Sequence, residues 1–201
     1  GDWSSDVCSS DLLFSVLQSK LFLNVFSELK GSGQHVAFSE NLNSKFRPRL
    51  QNIFSDSFSQ FTPEEQKSMI DFISFVASSK DVTDEQNQIQ SNFLLSLFTS
   101  AHPTATFRNL QEIFQKFPVT NKAVWTPSVI KRFFAKIIDS RETLRDFPGC
   151  DSDTWLNAKK TFFADFFKST VPNRVSILIL LEKIFSHFPI EETAFWDSRT
   201  Q

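Results

Sequence analysis

Apolar residues along this chain recur in pairs and triplets three or four positions apart, the interval that lines one face of an α-helix, while strand-like alternation is hard to find. The pattern predicts a first helix over Leu13–Leu29, closed by Gly31-Ser32-Gly33. Residues Gln34–Asn43 form the most loop-like stretch. The helical period resumes over Phe46–Phe61, with Leu50, Phe54 and Phe58 at four-residue steps. Pro48 falls near its start, where a missing amide hydrogen is tolerated. Thr62-Pro63-Glu64-Glu65 supplies an N-cap Thr, a first-turn Pro and a Glu three residues past the cap. The helix it opens carries Met69, Ile70, Phe72, Phe75 and Val76 and fades at Ser78-Ser79-Lys80. Thr83 and Gln86 resemble another capping pair, ahead of a helix through Phe98 with Ile89, Phe93, Leu94 and Leu97 on its face. Pro103 interrupts, and Thr104–Phe117 is predicted as one further helix bearing Phe107, Leu110, Ile113 and Phe114.

From here a signature returns. Phe117-Pro118, Phe147-Pro148 and Phe188-Pro189 are each followed, after six intervening residues, by a tryptophan: Trp125, Trp155 and Trp196. Trp125-Thr126-Pro127 opens a helix with the apolar pairs Val129-Ile130, Phe133-Phe134 and Ile137-Ile138, a wide stripe for a neighbouring helix. Ser140–Phe147 is a shorter return, Asp151–Ser169 repeats the theme with Trp155, Phe162 and Phe166, and Asn173–Phe188 adds Val175, Leu178, Leu181 and Phe185. Two copies agree over ten residues, Leu110-Gln-Glu-Ile-Phe-Gln-Lys-Phe-Pro-Val119 against Leu181-Glu-Lys-Ile-Phe-Ser-His-Phe-Pro-Ile190. Successive tryptophans lie 30 and 41 positions apart, within the period of helix-hairpin arrays. Each Pro stops a helix because its ring cannot continue the hydrogen-bond ladder, and each Trp restarts burial at the next. One hairpin cannot bury its phenylalanine stripe alone, so neighbours must stack. The expected fold is all-α: antiparallel helical hairpins stacked as a short, right-handed α-solenoid or repeat array. Residues 13–103 are expected to form a helical region and 104–201 the repeats, in one continuous array.

The first twelve residues are excluded from that reading. Asp2–Leu12, Asp-Trp-Ser-Ser-Asp-Val-Cys-Ser-Ser-Asp-Leu, look like a translated short-read sequencing adapter, so 1–12 is expected to be a disordered, non-native segment. The only Met is Met69, and the expectation is a gene fragment lacking its natural N-terminus. Without Asp2, Asp6 and Asp11 the acidic count falls from 23 to 20 against 21 basic residues, and the net charge moves from −2 to +1. Cys8 leaves with the adapter, so Cys150 remains alone and cannot form an internal disulfide, which reads as an intracellular chain or at least one that does not depend on disulfides; the expected location is the cytoplasm. The longest aliphatic run, Ile177–Leu181, is far short of the roughly 20 residues of a membrane span, so no membrane partner is expected. Phe is abundant at 25 residues and Tyr absent, a composition that favours buried apolar area over hydroxyl chemistry.

Candidate chemistry is sparse. His35, His102 and His187 have no partner at metal-ligand or acid–base spacing, and no phosphate loop, paired-Cys motif or nucleophile elbow occurs. Glu64-Glu65 and Glu191-Glu192 open helices, where carboxylates complement the dipole. The expectation is therefore no catalytic residue, no metal, no cofactor and no small-molecule substrate. Charge is uneven: residues 108–174 hold 12 basic and 7 acidic side chains, against 7 and 9 over 13–107. The candidate RNA-binding residues are Lys131, Arg132, Lys136, Lys159, Lys160 and Lys168, since a basic stripe along stacked helices can follow a phosphate backbone. A solvated helix face is the competing account of the same excess.

The Leu181-Glu-Lys-Ile-Phe-Ser-His-Phe-Pro189 segment with Trp196 after it resembles octotricopeptide-type repeats, in which a Leu-rich helix ends near a Pro and a Trp opens the next helix. The resemblance covers residues 104–201 and implies a helical-repeat protein that binds RNA. The chain departs from that pattern in its longer Pro-to-Trp gap, its missing Pro cluster and its Phe in place of aliphatic residues. The leading expectation is a non-enzymatic interaction module, a scaffold binding a protein partner along a groove, with RNA binding as the alternative.

Overall fold

A computed structural model describes residues 3–40, 46–75 and 84–139. Its described residues are predominantly helical and contain no strand. In order, they form α1 (Trp3–Gly31), α2 (His35–Glu40), α3 (Phe46–Ser57) with a 3₁₀ turn at Phe58–Gln60, and α4 (Pro63–Ser74). Then follow α5 (Asp84–Thr99), α6 (Pro103–Arg108), α7 (Leu110–Lys116) and α8 (Pro127–Asp139). The chain divides into two compact units, Gly1–Ser96 and Leu97–Gln201, with the division inside α5.

In the first unit α1 packs against α2, α3 and α4 and buries Val16, Leu23 and Phe26. The helix backbone begins at Trp3, so α1 takes in the adapter-like residues ahead of the predicted start at Leu13. Once the strong helical segment exists, each added residue gains a hydrogen bond without a new nucleation cost. α1 ends as its glycines dictate. Gly33 has φ 75°, its N–H donates to the Lys30 carbonyl at 3.2 Å, and Gln34 N–H donates to Leu29 at 2.8 Å. This is a Schellman closure, in which the left-handed residue is most readily glycine.

Within the stretch expected to be a loop, α2 forms over His35–Glu40, and residues 41–45 lie outside the described residues. Packing outweighs its weak pattern: the Phe38 ring sits 5.7 Å from Phe22 of α1. α3 buries Leu50 and Phe54, and the 3₁₀ turn buries Phe58, on the predicted face. α4 starts with the predicted capping box: Glu65 N–H donates to Thr62 Oγ1 at 3.2 Å, and Thr62 N–H donates to Glu65 Oε1 at 2.9 Å. The helix stops at Ser74, short of the predicted fade, and Val76–Thr83 lie outside the described residues. The core is an edge-to-face cluster centred on Phe72, with ring centroids at 4.9 Å to Phe22, 5.2 Å to Phe26 and 6.3 Å to Phe54. That geometry sets the positive ring edge against the negative ring face.

Helix ends leave carbonyls without intrahelical donors, and at the end of α4 every one of them is met. Asp71 and Phe72 accept from Phe75 N–H. Arg47 of α3 donates through Nη1 to Phe75 O at 2.8 Å and Phe72 O at 3.2 Å, with its guanidinium 4.7 Å from the Phe72 ring centre. Burial lowers the Arg47 pKa from its ordinary value. Gln90 of α5 donates through Nε2 to Ile73 O at 3.1 Å and Ser74 O at 3.3 Å. Gln66 closes the preceding turn in the same way, donating to Phe58 O at 2.9 Å and Phe61 O at 3.0 Å.

The second unit corrects one prediction. The single helix expected over Thr104–Phe117 is two, α6 and α7, broken at Asn109. The Asn109 side chain donates to Ala105 O at 2.8 Å, taking the carbonyl that its own backbone N–H would use in a continuous helix; that N–H turns to Thr106 O instead. Thr106 Oγ1 donates to Leu97 O at 3.2 Å near the end of α5. Leu97, Phe98, Leu110, Ile113 and Phe114 are buried with Val129, Phe133 and Phe134 of α8. The predicted elements over Ser140–Phe147, Asp151–Ser169 and Asn173–Phe188 lie outside the described residues.

Candidate functional site

The first copy of the Phe-Pro-Trp signature falls inside the described residues and can be built atom by atom. α7 runs into Phe117, whose N–H still donates to Ile113 O at 2.8 Å. Pro118 has no N–H and cannot extend the ladder. The connection then turns on Asn121, which donates to Pro118 O at 3.0 Å and accepts from Val124 and Trp125 at 3.2 and 2.9 Å. This turn carries the indole back over the helix it left. Trp125 Nε1 donates to the Phe117 carbonyl at 2.7 Å, a buried contact that satisfies the helix-end acceptor next to the proline.

The same indole is only 1% exposed. Its ring lies 5.7 Å from Phe98, 6.0 Å from Phe114 and 5.9 Å from Phe133. It therefore joins α5, α7 and α8 within one core while its polar edge closes α7. Directly after it Thr126 caps α8, its Oγ1 accepting from Val129 N–H at 3.4 Å, and Pro127 occupies the first helical position. In this copy the six residues between Pro118 and Trp125 hold the backbone turn at Asn121 that returns the indole. The two later copies, at Phe147–Trp155 and Phe188–Trp196, lie outside the described residues.

Of the predicted RNA-binding residues, α8 carries three. Lys131 and Arg132 are neighbours on its exposed side. Lys136 is half-buried and donates through Nζ to Ser100 O at 2.9 Å, so it serves the end of α5 within the same unit. The structure thus separates Lys136 from the other two: its ammonium is committed to a carbonyl. Lys159, Lys160 and Lys168 lie outside the described residues, as do Cys150 and His187.

Among the described residues no group of three or more His, Cys, Asp or Glu side chains could hold a metal ion. His102 is exposed ahead of α6. His35 stands between aromatic rings, 6.3 Å from Phe26 and 5.0 Å from Phe75, with Nδ1 buried and without a hydrogen-bond partner. Glu65 belongs to the capping box, and Glu64 is exposed in the first turn of α4. No described helix is long and apolar enough to cross a membrane.

Sequence reasoning missed the buried and half-buried polar side chains that close the helix ends. Their signal was present. Gln66 precedes Met69, Ile70 and Ile73 by three, four and seven residues, and Gln90 stands in the same relation to Phe93, Leu94 and Leu97. Arg47 does so to Leu50, Gln51 and Phe54. Each therefore falls on the buried face of its helix, where a polar group needs a partner.

Comparison of the chain with protein-family models, with curated proteins and with solved structures returns no match.

Proposed function

We propose that this chain is a non-enzymatic helical-repeat interaction module, its hairpins stacked as a short α-solenoid, that binds a protein partner along a groove in the cytoplasm. The observation that carries the reading is the threefold Phe-Pro-x6-Trp signature, whose first copy closes one helix and seats the next through a single buried indole. A device that is complete within nine residues of chain can be copied along a sequence, and copied helix pairs make the extended surfaces used for binding. Function in such arrays resides in side chains displayed between the structural positions, since a fold alone does not specify an activity.

RNA is the alternative ligand. The local basic excess over residues 108–174, the exposure of Lys131 and Arg132 and the resemblance to octotricopeptide-type repeats favour it.

One experiment separates the two. The chain is cross-linked in cells of its source, partners are identified, and each is remixed with the purified chain, with and without ribonuclease. A purified protein that binds directly and is unaffected by ribonuclease supports the scaffold reading. Binding of single-stranded RNA that weakens with salt, with a log–log slope reduced by about 0.7 for each cation removed in Lys131→Ala and Arg132→Ala, replaces it with the alternative. No measurable RNA affinity at low salt eliminates RNA.

A further inference from the structure

We draw no further inference here: the strongest candidate, the exposed apolar stripe of Leu17, Leu21 and Val25 along α1, carries nothing because nothing in the structure shows what covers it.

Discussion

The C-terminal ends of α4 and α7, one in each unit, are closed by opposite means. At the end of α4 in the first unit, the donors arrive from other helices: Arg47 reaches Phe75 from 28 residues away and Gln90 reaches Ile73 from 17. At the end of α7 in the second, the donor is the indole of Trp125, eight residues downstream of Phe117 in the connection itself. The first closure exists only once α3, α4 and α5 have assembled. The second is specified by a short run of sequence. That difference explains why only the second has a visible motif: a closure made by distant residues has no fixed spacing to repeat, whereas a local one does.

The local closure of α7 depends most heavily on Trp125. Trp125→Ala removes a fully buried indole from among Phe98, Phe114 and Phe133 and should cost about 3–5 kcal/mol in urea unfolding. Trp125→Phe keeps much of the ring but deletes the donor that meets the buried Phe117 carbonyl, and should cost about 1–3 kcal/mol. A Trp125→Phe protein as stable as the parent would show that the indole acts by bulk alone, and the local closure would lose its meaning.

On the other side stands Arg47→Met, which keeps an apolar stem of similar length and removes the guanidinium from Phe72 and Phe75. The expected loss is about 1.5–3 kcal/mol, the range for hydrogen bonds to a charged group. Amide exchange supplies the sharper readout: the last turn of α4 should open more readily in this variant, while the first turn keeps its capping box. Equal protection at both ends would show that Arg47 does not hold the C-terminal turn.

Much of this architecture was legible from the amino acids, and the exceptions share a cause. α4 and α8 were readable at their starts because their caps are local: Thr62 with Glu65, and Thr126 with Pro127. The buried faces of α3 and α5 were readable from period alone. α2 was not, since six residues hold too little pattern and Phe38 is fixed by its contact with Phe22 across the unit. The break at Asn109 was missed because the apolar period runs through it undisturbed, and only the side-chain bond to Ala105 discloses the interruption. In the candidate site the Phe-to-Trp spacing was visible, but its purpose was not: periodicity places an indole without saying where its N–H points.

A smaller effect sharpens the contrast at the opposite end of α4. Thr62→Ala removes the side-chain acceptor for Glu65 N–H and should cost about 1 kcal/mol. This closure is local, like that of Trp125, but it is exposed, so water can replace the lost partner. The ordering Trp125→Phe above Thr62→Ala therefore tests whether burial, and not locality, sets the energetic value of a closure. A reversal of that order would sink the interpretation.

The smallest expected change comes from Lys20 of α1, which links two helices through the same cap. Its ammonium lies 3.6 Å from Glu65 Oε1, the oxygen that accepts from Thr62 N–H, and 5.4 Å from the centre of the Phe61 ring. The Lys20 side chain is 37% exposed, so solvent screens the pair and Lys20→Ala should cost about 0.2–1 kcal/mol. Because Glu65 is shared, the loss should shrink in a Thr62→Ala background, where the carboxylate is less firmly placed; a double-mutant cycle measures that coupling. Raising the salt to 1 M, where the screening length falls to about 3 Å, should remove most of the ionic part and leave the contact with Phe61. A Lys20→Ala effect that is indifferent to both salt and the cap would assign the residue's contribution to its aliphatic stem instead.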